Sequence, residues 1–120
     1  MAMNKVFVYG TLKKGRSNHD AFLSHAKFIG NAVTVRDIWG LMDLGAYPAM
    51  TYGQKRVKGE VYEVTDYELS RIDRLEGIDI GLYQRHMIEI EVAGEVMDCH
   101  TYLMFDPAVQ GRYTERLEVW

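Results

Sequence analysis

Two stretches of the 120-residue chain carry residue types at spacings that can do chemistry. The first is Val6-Phe-Val-Tyr-Gly-Thr-Leu-Lys-Lys-Gly15, where apolar β-formers run into Tyr9 and break at Gly10. With no side chain at Gly10, the backbone can approach a ligand closely. Successive N–H groups in such a loop (Gly10, Thr11, Leu12) can converge on an anionic or oxyanionic oxygen. The second runs from Thr65 to Gly77. Leu69, Ile72 and Leu75 form a helical apolar stripe, and Glu76, four residues after Ile72 and seven after Leu69, shares that side. A carboxylate there meets burial and the negative end of the helix dipole, and both disfavour its charge. Its pKa would rise toward neutrality, where a glutamate can accept and return a proton. The opposing reading leaves Glu76 in water past the helix end, where most helical glutamates sit.

The elements that must position these residues follow from local pattern. Lys5–Tyr9 reads as a central strand, since Val6, Phe7 and Val8 are apolar without alternation. Asn18 is placed to cap a short helix, His19–His25. Strands are predicted at Phe28–Val35 and Trp39–Leu44, with a turn at Gly45–Pro48. In Val57–Val64 the residues Val57, Gly59, Val61 and Glu63 share one face, and Lys58, Glu60, Tyr62 and Val64 the other. Thr65-Asp-Tyr-Glu68 is a capping box and Gly77 a left-handed stop, which predicts a helix over Asp66–Glu76. Tyr83–Val92 and Glu95–Met104 read as a hairpin across Ala93-Gly94. Asp106 onward reads as loop, with Leu117–Trp120 packing back on the surface. The count of about six strands, mostly in hairpins, and two helices predicts a single α+β domain with a mixed sheet or small barrel.

Composition narrows the function. Hydrophobic residues are 48% and charged residues 26% of the chain, enough for a folded core. A net charge of −3 argues against a general nucleic-acid binder. No apolar run approaches the ~20 residues of a membrane span, and no secretory signal pattern opens the chain. The single cysteine, Cys99, fits a reducing cytoplasm. Gly10–Ser17 has the spacing of a phosphate-binding P-loop but misses the motif at one residue, carrying Arg16 where it needs lysine. His19, His25, His86, His100 and Cys99 lack metal-ligand spacing, and Cys99 sits in a predicted strand without a nucleophile motif, so neither a metal nor a cofactor is expected.

Four motifs stand in a telling order: Tyr9-Gly-Thr-Leu12 after a strand, Leu44-Gly-Ala-Tyr-Pro-Ala49, Val57-Lys-Gly-Glu-Val-Tyr62, and Leu75-Glu-Gly77 ahead of Tyr83-Gln-Arg85. Through them the chain resembles the γ-glutamylcyclotransferase-like superfamily, and is most similar to its γ-glutamylamine cyclotransferase and AIG2-like branch. The resemblance covers about Lys5 to Phe105. It implies an α+β fold whose mixed, mostly antiparallel sheet closes into a small barrel with two or three flanking helices. It further implies that Tyr9, Gly10, Thr11 and Leu12 hold a γ-glutamyl head group, that Glu76 is the catalytic acid/base, and that Tyr83 and Tyr102 line the pocket. Asn18 and His19 also match, without an assigned role. One departure is Met42, where the pattern has an aromatic residue; a change in one pocket wall is expected there.

The chemistry implied is intramolecular. The α-amine of a small γ-glutamyl substrate closes on its own γ-carbonyl, giving 5-oxoproline and a free amine, with no metal or cofactor. Lys13, Lys14 and Arg16 would favour an acidic distal group if they face the pocket; solvated loop cations are the commoner case. The alternative is a non-catalytic metabolite-binding or protein-interaction module on the same fold. Nothing in the sequence selects the leaving amine or the oligomeric state.

Overall fold

The computed structural model describes residues 3–120. In chain order its elements are β1 (Met3–Val8), α1 (His19–Leu23), β2 (Lys27–Thr34), β3 (Trp39–Asp43), β4 (Pro48–Tyr52) and β5 (Lys58–Thr65). There follow α2 (Asp66–Leu75), a 3-10 turn (Ile78–Ile80), β6 (Gln84–Val92), β7 (Glu95–Leu103) and α3 (Pro107–Arg112). The strands run β1-β5-β2-β6-β7 through antiparallel pairings. β1 then meets β7 in parallel at Val6 and His100, which closes a five-strand mixed barrel. The β3–β4 hairpin extends the sheet, with β4 meeting β7 in parallel at Met50 and Leu103. This is the predicted α+β class, with three α-helices at the flank of the barrel.

The unbroken apolar run of β1 has a direct cause: both faces of the strand are buried. Val6 and Val8 pack with Leu69 and Ile72 of α2, while Phe7 and Tyr9 join Val61, Ile90 and Leu103 on the other side. β5 divides in the same way, Tyr62 and Val64 going to the first cluster and Val61, with Val57 just ahead of the strand, to the second. The β6–β7 link turns on Ala93 (φ 51°) and Gly94 (φ 82°), a pair of positive φ values that matches the twist of a two-residue hairpin.

The capping box of α2 forms as predicted. The Glu68 N–H donates to Thr65 Oγ1 at 3.1 Å, and the Thr65 N–H donates to Glu68 Oε1 at 2.9 Å. Replacing Thr65 by Ala should cost about 1 kcal/mol, read as a lower urea midpoint at unchanged slope. Gly77 ends the helix in the left-handed region (φ 67°). The predicted stripe needs one correction: Leu69 and Ile72 are buried, but Leu75 is 36% exposed. At 3.6 residues per turn Leu75 lies about 90° from the centre of the arc through Leu69, Ile72 and Glu76. Glu76, the helix C-cap, therefore continues the inward side.

Two elements depart from the sequence reading. Residues 48–52 form β4, because the Leu44 N–H to Tyr47 carbonyl bond (3.1 Å) closes the turn and Pro48 opens the strand opposite Asp43. A strand's first residue tolerates a missing N–H. The region read as loop contains α3, opened by Asp106, whose side chain accepts from the Ala108 N–H at 2.9 Å, with Pro107 in the first turn. The tail packs back as predicted, Leu117 exchanging both backbone hydrogen bonds with Leu41 at 2.8 and 2.9 Å. α1 is shorter than predicted, and Asn18 makes no side-chain cap. No helix among the described residues is long and apolar enough to cross a membrane.

Candidate active site

Where β1 ends, the chain enters a loop facing the C-terminal end of α2 and the start of β4. Between them lies a small cleft, open at its mouth. It brings together Tyr9, Gly10, Thr11, Leu12, Glu76 and Tyr102 from three separate parts of the chain. Tyr83 does not line it, although it stands near enough for the Glu76 charge to raise its phenol pKa. Pro48 forms a further wall, unforeseen as a site residue. Met42 does not alter a wall as expected: it is fully buried in the core cluster that contains Leu12, Tyr83 and Tyr102, behind the pocket.

The loop is braced from behind. Its carbonyls accept from protein donors: Gly10 O from the Lys13 N–H at 3.0 Å and Thr11 O from the Asn18 N–H at 2.9 Å. Leu12 O lies 3.0 Å from His19 Nδ1, and the Asn18 side-chain amide donates to Thr11 Oγ1 at 2.9 Å. These contacts give Asn18 and His19 the role that sequence alone left blank: both fix the shape of the loop. The Lys14 N–H donates to Glu60 Oε1 at 2.9 Å, which anchors the far side. Among the described residues no backbone acceptor engages the N–H groups of Gly10, Thr11 or Leu12. With every carbonyl turned inward, the loop can offer donors to an oxygen in the pocket.

Glu76 is half-buried at the pocket, and that burial pushes its carboxyl up to about 7. No salt bridge to Glu76 occurs among the described residues, and no lysine or arginine lines the pocket to offset that desolvation. The tyrosines have other work. Tyr9 donates to the Tyr102 carbonyl at 2.6 Å and accepts from the Met50 N–H at 3.2 Å, so its phenol is a strut between β1, β7 and β4. Tyr83 donates to the Pro48 carbonyl at 2.9 Å and holds that wall. Tyr102 donates to Asp73 Oδ1 at 2.7 Å. Burial is the first cause that raises all three phenols well above their ordinary range. Glu76 is thus the lining group poised to exchange a proton near neutrality.

The other candidates lie elsewhere. Cys99 is buried in β7 and its thiol is pushed up to about 11 by burial, which suits an inert core residue. His25 and His86 are exposed, His100 sits on β7, and no group of three or more His, Cys, Asp or Glu is placed to hold a metal among the described residues. Lys13 Nζ donates to the Trp120 carbonyl at 2.6 Å, and the Arg16 guanidinium lies 4.6 Å from the Trp120 ring centre. The tail engages two of the three loop cations.

Residues 6–120 match the model of the family described as gamma-glutamyl cyclotransferase, AIG2-like. A Vibrio cholerae protein provisionally named gamma-glutamylcyclotransferase is 44% identical over 84 residues, 70% of each chain. The gamma-glutamylaminecyclotransferase of Mus musculus is 32% identical over 117 residues, covering 83% of this chain and 77% of the mouse protein. In three dimensions the chain is similar to the crystal structure of an AIG2-like protein from Mus musculus, with a TM-score of 0.85 at 29% identity over 100% of this chain and 89% of the other.

Proposed function

Since the chain belongs to the gamma-glutamyl cyclotransferase, AIG2-like family, we propose that it cyclises a γ-glutamylamine, releasing 5-oxoproline and the free amine. The observation that carries this reading is the pairing of a desolvated Glu76 with a loop whose three N–H groups lack backbone acceptors. Glu76 takes a proton from the substrate α-ammonium. The amine nitrogen then attacks the γ-carbonyl carbon, and the carbonyl oxygen gathers negative charge toward the Gly10–Leu12 donors. As the γ-carbon–nitrogen bond breaks, Glu76 returns that proton to the departing amine, then takes the second proton from the ring nitrogen and passes it to the same amine, which leaves as an ammonium. Attack within one molecule leaves the protein the task of freezing the reactive rotamer.

The test is 5-oxoproline release, measured by mass spectrometry, from ε-(γ-glutamyl)lysine, a γ-glutamyl alkylamine, γ-glutamyl-alanine and glutathione. Turnover of the first two is expected, and silence across all four by a folded protein would overturn the reading. The pH dependence is also set. Only ionised Glu76 accepts the proton, so kcat/KM should rise about tenfold per pH unit below its pKa and level off above about 7. A flat profile from pH 5 to 8 would remove Glu76 from the proton transfer.

A further inference from the structure

Behind the pocket wall lies a charged group that the chemistry above does not use. Asp73 sits on α2, three residues before Glu76, and its two carboxylate oxygens have different partners. Oδ1 accepts the Tyr102 hydroxyl at 2.7 Å, and Oδ2 pairs with Arg85 Nη1 of β6 at 3.2 Å. Arg85 and Tyr102 are directly opposite in the β6–β7 ladder, so the sheet sets the spacing of both partners. The Asp73 and Arg85 side chains are 25% and 30% exposed, less than those of the surface pairs Arg56–Glu91 and Lys58–Glu118. His100 is also near: its pKa is lowered by burial and by Arg85, with Asp73 opposing. Tyr102, by contrast, is buried and lines the pocket beside Glu76.

This arrangement fixes the direction of a hydrogen bond. A phenol has one proton to donate, and a carboxylate has none to give. With its proton committed to Asp73, the Tyr102 oxygen keeps only lone pairs for the pocket. We propose that Asp73, oriented by Arg85, is a positioning residue that makes Tyr102 a hydrogen-bond acceptor for the substrate α-ammonium. The proposal rests on the γ-glutamyl reading above and deepens it: the pocket selects for the α-amine itself, before Glu76 removes its proton. Asp73 also imposes a specific vulnerability. An amide at this position would turn its oxygen to Arg85 and its NH₂ to the phenol. Tyr102 would then accept from residue 73 and point its own proton into the pocket, against the ammonium.

The test compares Asp73→Asn, Tyr102→Phe and the double variant, each checked for an unaltered circular dichroism spectrum. Asp73→Asn should raise KM about tenfold for a γ-glutamyl alkylamine, with a smaller change in kcat, the size expected for one charge-assisted hydrogen bond. The double variant should be no worse than Tyr102→Phe, because Asp73 acts through that phenol. A glutaric acid mono-alkylamide, which lacks the α-amine, should bind the parent and Asp73→Asn equally. Equal loss of both ligands, multiplicative single effects, or an unchanged KM would each overturn the proposal. If the parent protein binds the alkylamine without releasing 5-oxoproline, the activity fails instead. The same comparison of the two ligands, made by calorimetry, still decides the role of Asp73.

Discussion

Glu76→Gln is expected to fold normally and to lose about 10³-fold in kcat for a γ-glutamylamine, with KM changed little. Glutamine keeps the shape of the side chain and its contact with the substrate but cannot accept a proton near neutrality. The loop donors, Tyr102 and the Pro48 wall all remain, so the loss isolates the proton transfer. The rising limb of the pH profile should disappear with it. Stability should move in the opposite direction. The folded state holds the Glu76 pKa at about 7, above its ordinary 4.5. Between these values the folded protein binds more protons than the unfolded chain, so its stability falls as pH rises through that window. Above about pH 7 the parent carries the cost of a partly desolvated carboxylate, and the glutamine variant does not. Its melting temperature should therefore exceed the parent's at pH 8, with the gap closing toward pH 4.5. A variant that keeps its turnover, or melts below the parent at pH 8, would mean that Glu76 is neither the base nor buried at a cost.

That carboxylate was legible in the sequence because its placement is a local matter. The capping box at Thr65 fixes where α2 starts, Gly77 fixes where it stops, and the spacing from Leu69 and Ile72 fixes which way Glu76 faces. The glycine loop was legible on the same grounds, as a β-run broken at Gly10. What stayed hidden depends on contacts between distant segments. Nothing near Pro48 says that it walls a pocket; Tyr83, 35 residues later, holds its carbonyl there. Asp73 reads as an ordinary polar helix residue until β7 brings Tyr102 to it from 29 positions away. Asn18 looked like a helix cap, and its side chain instead closes back on Thr11 because α1 begins in the bend of the loop it braces. α3 carried a start signal in Asp106-Pro107, but its six residues include Gly111 and no buried position, so no apolar period announced it.

Gly10→Ala is the second large effect expected, and its cause is space rather than backbone strain. A Cβ at Gly10 would lie 2.7 Å from both Cγ and Cδ of Pro48, inside the distance that side-chain carbons tolerate. Pro48 cannot easily yield. Its ring is covalently tied to a backbone that pairs with Asp43 in the β3–β4 ladder, and its carbonyl is held by the Tyr83 hydroxyl. The loop must move instead, and with it the N–H groups that would meet the carbonyl oxygen. Displacing such donors by about 1 Å is worth roughly 10²-fold in rate. The overpacking should cost about 1–3 kcal/mol of stability as well. Two companions separate these effects. Gly15→Ala takes on a positive φ of 84° but meets nothing within 4 Å, so it should lower stability and leave turnover unchanged. Pro48→Ala removes the two ring carbons that the new methyl group strikes, so in the Gly10→Ala background it should recover part of the lost rate. If Gly10→Ala alone turns over like the parent, the close approach of loop and wall does not set the geometry of the reaction. If Pro48→Ala fails to rescue it, the cost of the methyl group arises at the substrate instead, with the loop approaching the γ-glutamyl head more closely than it approaches Pro48.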